Sequence, residues 1–110
     1  MKVCRLDDIV PDTGVCVLVG GEQVAVFRIH QEVYALGNRD PFSGANVLSR
    51  GIVGDLNGEL VVASPVYKQH FSLLTGRCVE DPSVSVPVYR AQVEGADIQI
   101  LNQGESPCLT

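Results

Sequence analysis

The sequence predicts an all-β fold of antiparallel strands, and three observations carry that prediction. Apolar residues come in short runs broken by turn residues. Those turns include Gly20-Gly21, Asn57-Gly58 and Thr75-Gly76, pairs suited to tight hairpins. No 3.6-residue apolar period is sustained. The one helical hint is Leu6-Asp7-Asp8-Ile9, a single turn stopped by Pro11.

Taken in order, the first strand signal is Gly14 to Val19, rich in β-branched residues and ending in Gly20-Gly21. Val24 to Ile29 follows, then a turn near His30-Gln31-Glu32, then Val33 to Leu36, which together read as a three-stranded meander. Ile52 to Leu56 and Glu59 to Ala63 flank Asn57-Gly58, whose two residues both tolerate positive φ. Phe71 to Leu74 and Arg77 to Val79 flank Thr75-Gly76 and read as another hairpin. The last pair is Val86 to Val93 and Ile98 to Leu101, joined around Glu94-Gly95, with Ile98 and Ile100 on one buried face. Pro87 places its strand at a sheet edge or gives it an irregular start.

With 110 residues the chain has room for one core, expected as a single domain over residues 1–101 with a flexible tail over 102–110. The net charge of −5, from eight basic and thirteen acidic residues, argues against a nucleic-acid partner. Short strands and hairpins also fit an oligonucleotide-binding barrel, but six aromatics and an acidic balance leave it without its basic, stacking groove. No apolar run approaches the roughly 20 residues that cross a bilayer, and the first ten residues lack a signal-peptide core. The expectation is a cytoplasmic protein with no membrane partner. Cys4, Cys16, Cys78 and Cys108 form no CxxC pair, so neither a zinc site nor a dithiol redox motif is indicated. Cys4, Cys16 and Cys78 are expected as reduced strand residues, and Cys108 as an exposed thiol in the tail.

Two loops break the rhythm: Gly37 to Gly51, and Ser64 to Gln69. They flank the Asn57-Gly58 hairpin, so they lie near each other at one end of a barrel, where function usually resides.

Those loops carry a resemblance. Asn38-Arg39-Asp40-Pro41-Phe42-Ser43-Gly44 and Ser64-Pro65-Val66-Tyr67, followed by Phe71 and Thr75-Gly76, resemble the two cluster-binding loops of the Rieske family. In that family the loops carry Cys-x-His and Cys-x-x-His, two thiolates on one iron and two imidazoles on the other. The resemblance implies a Rieske-like antiparallel β-sandwich or barrel with a small subdomain like the cluster-binding one. The ligands themselves do not match. Asp40 and Ser64 stand at the cysteine positions, Phe42 and Tyr67 at the histidine positions. A [2Fe–2S] pair needs soft thiolates on at least one iron, and Phe ligates nothing, so no metal or cofactor is expected in this chain. His70 stands where a strand begins and His30 in a turn, so neither replaces the lost set.

Within the Rieske-like group, the chain resembles the family of small subunits of NAD(P)H-dependent nitrite reductase, from Val3 to about Leu101. The stretches that carry this are Gly14-Val15-Cys16 with Glu22 to Arg28, Asp40-Pro41-Phe42, Val47 to Gly51, Val62 to Pro65, and Lys68-Gln69 with Phe71. The resemblance implies a non-catalytic subunit that binds and supports a large chain holding FAD, [4Fe–4S] and siroheme. The holoenzyme would reduce nitrite to ammonium, as in nitrate assimilation. Brown colour in the purified chain would instead favour an electron-transfer ferredoxin.

Each loop residue carries two readings. Asp40 is a proton donor or electrostatic element facing the partner, or a carboxylate that caps its loop beside Pro41. Phe42 and Tyr67 form an aromatic plug in the space a cluster would fill, or contact the partner. Arg39, Arg50 and Lys68 give the tip a basic character that docks an acidic patch or attracts nitrite, or they are ordinary solvated charges. Ser49 reads as a turn residue, with no His–carboxylate set nearby to activate it. The expected partner-binding residues are Arg39, Asp40, Phe42, Arg50, Tyr67 and Lys68.

Overall fold

The computed structural model describes residues 2–101, so the expected tail and Cys108 lie outside the described residues. In chain order the strands are β1 Lys2–Arg5, β2 Thr13–Val19, β3 Glu22–Ile29, β4 Glu32–Gly37, β5 Ile52–Leu56, β6 Glu59–Ala63, β7 His70–Ser72, β8 Val88–Glu94 and β9 Asp97–Leu101. Single 3-10 turns occupy Leu6–Asp8 and Leu48–Arg50. The first is the expected helical hint. Its carbonyls at Leu6 and Ile9 accept hydrogen bonds from the Arg28 guanidinium at 3.3 and 3.0 Å, which ties the turn to β3.

Six strands form one sheet in the order β1-β9-β8-β4-β3-β2, and three form a second, β5-β6-β7. Every pairing is antiparallel. The edge strands β1 and β2 approach within 8 Å between Cα atoms, so the large sheet curls nearly closed. Three hairpins, two in the large sheet and one in the small, follow from local chemistry. Gly20-Gly21 has φ of 58° and 86°, and Asn57-Gly58 has 56° and 88°, the mirror-image turn geometry that matches strand twist. His30, at φ 57°, opens the turn between β3 and β4.

There are two cores, and β3 serves both. Val24 and Val26 pack with Leu6, Ile9, Val33, Ala35, Ile98 and Ile100 inside the curled sheet. Ala25 and Phe27 point the other way, toward Leu36, Leu48, Val62, Phe71, Leu73, Cys78 and Val86 beneath the small sheet. Burial on both faces explains why Val24-Ala25-Val26-Phe27 is uninterrupted apolar sequence where β8 and β9 alternate. Phe27 and Phe71 are fully buried and each contributes about 1.5–3 kcal/mol by removal from water. The second core joins the small sheet to the large one, and so fixes where the two loops hang.

Four expectations need correction. Lys2–Arg5 is a strand the sequence reading passed over; it pairs with β9, nearly the whole chain away. The long loop contains the 3-10 turn Leu48–Arg50, with Leu48 fully buried. Of the two readings of Pro87 the edge position fails, since β8 lies between β4 and β9, while the strand starts only after the proline, whose carbonyl accepts the Gly37 N–H at 2.8 Å. Arg77 to Val79 makes no continuous strand, only the isolated bridges Phe71↔Cys78 and Arg77↔Ser85. Cys4 and Cys16 do lie in strands, but Cys16 is exposed and Cys78 is buried at one of those bridges.

Candidate functional site

The two loops meet, and Asn38 and Gly51 set the first one in place. Asn38 is buried at the end of β4. Its Nδ2 donates to Gln23 Oε1 and to the Asn46 carbonyl, both at 3.1 Å, while its Oδ1 accepts the Ser49 N–H at 2.7 Å. Its backbone N–H donates to the Gln23 carbonyl and its own carbonyl accepts the Leu48 N–H. One side chain therefore pins the start, middle and end of the loop to β3. At the far end Gly51 runs against β6 so closely that a Cβ there would sit 2.3 Å from the Ala63 carbonyl oxygen. Only glycine permits that approach.

At the centre of the tip, Asp40 and Ser64 face each other with no solvent exposure. Ser64 Oγ donates to Asp40 Oδ2 at 2.5 Å, and Asp40 Oδ1 accepts the Phe42 N–H at 2.8 Å. The Asp40 carboxylate thus caps its own loop and clamps the second. Ser64 Oγ in turn accepts the Val66 N–H at 3.3 Å, and its backbone bonds to Gln69 O and Lys68 N close the second loop. The Phe42 ring is half-buried and lies 6.1 Å from the Phe71 ring, tilted by 46°.

Below the second loop a clip holds its base. The Glu80 carboxylate accepts the His70 N–H at 2.8 Å and contacts His70 Nδ1 at 2.5 Å. Partial burial would raise the Glu80 pKa, but the His70 backbone N–H and imidazole outweigh it and hold it below the usual value. Burial pushes the neighbouring Cys78 thiol up, which keeps it an inert core residue. His70 begins β7 and His30 lies in a turn, as the sequence indicates.

Tyr67 departs from expectation. It is 60% exposed and fills no internal space, so the aromatic plug consists of Phe42 alone. Arg39, Arg50 and Lys68 are all exposed, and none makes an ion pair among the described residues. They do not form one patch. Arg39 lines a groove of about 540 Å³ with Gln23, Asn38 and Tyr89, and Arg50 lines another of about 420 Å³ with Asp12 and Ile52. Asn38 as a hub and Glu80 as the partner of His70 go beyond the residues the sequence singles out. An Asn standing ahead of a capped loop is a signal for the first; Glu80, ten residues distant, gives none.

The donor set at the tip does not fit an iron–sulfur cluster. The two positions matching the family's thiolates hold hard oxygen donors already bonded to each other, Phe42 offers no lone pair, and Tyr67 points outward. Among the described residues no hydrogen bond joins Ser49 Oγ to a histidine or carboxylate; its backbone N–H donates to Asn38 Oδ1. What the tip presents is a rigid, hydrogen-bonded surface with an exposed aromatic ring and a lysine at its rim.

A model of the Rieske-like [2Fe-2S] domain matches residues 1–101. The nitrite reductase (NADH) small subunit of Salmonella typhimurium strain LT2 is 51% identical over 101 residues, covering 90% of this chain and 94% of that one. The chain belongs to the nitrite reductase small-subunit family. This Rieske-like family's fold is matched as well: the NMR structure of the Escherichia coli protein NirD superposes with a TM-score of 0.84 at 49% identity, covering 91% of this chain and 93% of that one. A third relative differs in architecture. The nitrite reductase [NAD(P)H] large subunit of Klebsiella oxytoca is 42% identical over 101 residues, which is 92% of this chain but 11% of that protein.

Proposed function

We propose that this chain is the small subunit of an NAD(P)H-dependent nitrite reductase, with no catalytic group or cofactor of its own, and that its loop tip packs against the large subunit. The observation that carries the partnership is the Klebsiella relative, in which this module is part of one polypeptide with a protein named as the large subunit. A module covalently joined to its partner in one species and separate in another has a reason to bind it. FAD, [4Fe–4S] and siroheme belong to the large chain in this reading, as does the reduction of nitrite to ammonium. The absence of a cofactor here is supported by the oxygen donors and phenyl ring at the four ligand positions. Among the described residues no helix is long and apolar enough to cross a membrane, which accords with a cytoplasmic setting for nitrate assimilation.

For the tip, Asp40 and Phe42 are interior supports, while Arg39, Arg50, Tyr67 and Lys68 are the side chains available to a partner. The exposed Tyr67 ring with Lys68 beside it suits an interface anchor. The test is co-purification of the tagged chain from host lysate, with a visible spectrum of each component. The expected result is a large flavin- and siroheme-bearing chain captured by a colourless small one. A coloured small chain by itself would contradict the assignment.

A further inference from the structure

Among the described residues four non-glycine residues have positive φ: Asp12, His30, Asn57 and Lys68. Asp, His and Asn enter the left-handed region more readily than other residues, because their short polar side chains bond locally. Lys68 has no such excuse. It sits at φ 68° in the second loop, where only its backbone N–H is used, donating to the Ser64 carbonyl at 3.1 Å. Glycine would close the same turn without strain. The ammonium group has no ion pair among the described residues, and the side chain is exposed. The loop carries a second uncompensated cost beside it, since Gln69 Oε1 is buried with no hydrogen-bond partner. On the other side stand Val66 and Tyr67, both exposed. A residue held in a costly conformation with its functional end unused inside the domain has its use outside it.

We infer that Lys68 is kept at this left-handed position because its ammonium group docks on an acidic patch of the large subunit. This rests on the small-subunit reading above. Such a contact gives orientation and salt-sensitive association.

The test measures two quantities on the full chain, its urea unfolding midpoint and its affinity for the purified large subunit. Lys68→Gly should unfold at higher urea than the natural chain yet bind about tenfold more weakly, with a shallower salt dependence. Lys68→Arg, which keeps charge and strain, should keep both values. Natural affinity in Lys68→Gly would overturn the inference and leave the small-subunit reading intact. A glycine variant no more stable than the natural chain would remove the strain argument and overturn it equally. Failure of the natural chain to bind would bring down both readings.

Discussion

Ser64 Oγ donates a 2.5 Å hydrogen bond to Asp40 Oδ2, and neither residue is exposed to solvent. This pair stands where the Rieske resemblance places two cysteines, and it replaces a metal-bridged junction between the loops with a hydroxyl–carboxylate one. Removing the hydroxyl leaves a buried carboxylate oxygen without its donor. Ser64→Ala is therefore expected to cost about 1–3 kcal/mol, read from urea unfolding midpoints. Natural stability in this variant would mean the pair does not hold the loops together.

Asn38 satisfies two loop groups and the Gln23 side chain of β3 with one side chain. Asn38→Asp keeps the acceptor toward Ser49 N–H but turns the donor into an oxygen facing Gln23 Oε1 and the Asn46 carbonyl. It should destabilise the domain more than Ser64→Ala does, by about 2–4 kcal/mol, since a buried charge then meets two acceptors. Thermal unfolding of the two variants side by side checks the order.

Phe42 is half-buried against Phe71, so truncation loses packing without opening a sealed cavity. Phe42→Ala should cost about 1–3 kcal/mol, below the 3–5 kcal/mol typical of a fully buried phenylalanine. Phe71→Ala provides that upper reference in the same denaturation series.

The His70–Glu80 clip predicts a pH dependence. With the Glu80 pKa below its usual 4.5 in the folded chain, the clip stabilises above that value and loses its effect as pH falls through the folded pKa. Both side chains are partly exposed, so solvent screening limits the gain to about 0.5 kcal/mol or less. Glu80→Gln should be slightly less stable than the natural chain at pH 7, and the gap should close between about pH 5 and pH 3. A gap that widens on acidification would contradict the assigned sign.

Much of the fold was legible because its instructions are local. Asn57-Gly58 and Gly20-Gly21 dictate their turns through φ alone, and the alternation of Ile98 and Ile100 gives the buried face of β9. The loop pair was legible for the same reason, since a hairpin brings its two flanks together. β1 was not: four residues with little apolar pattern form a strand only because β9 offers an edge at the other end of the chain. Tyr67 was not either. Both Phe42 and Tyr67 read as aromatics in a loop, and only the closed Ser64–Gln69 turn decides that one ring points in and the other out.

That division between the two rings gives the most direct test of the account, which holds that the tip is a docking surface for the large subunit. The measurement is the affinity of the large subunit for the natural chain and for Tyr67→Ala, by titration calorimetry, alongside unfolding of both small chains. Tyr67 is 60% exposed, so the variant should unfold within about 0.5 kcal/mol of the natural chain. Its affinity should fall by about tenfold or more, the loss expected for an aromatic anchor. Undiminished affinity in a fully folded Tyr67→Ala chain would contradict the placement of the interface at this tip.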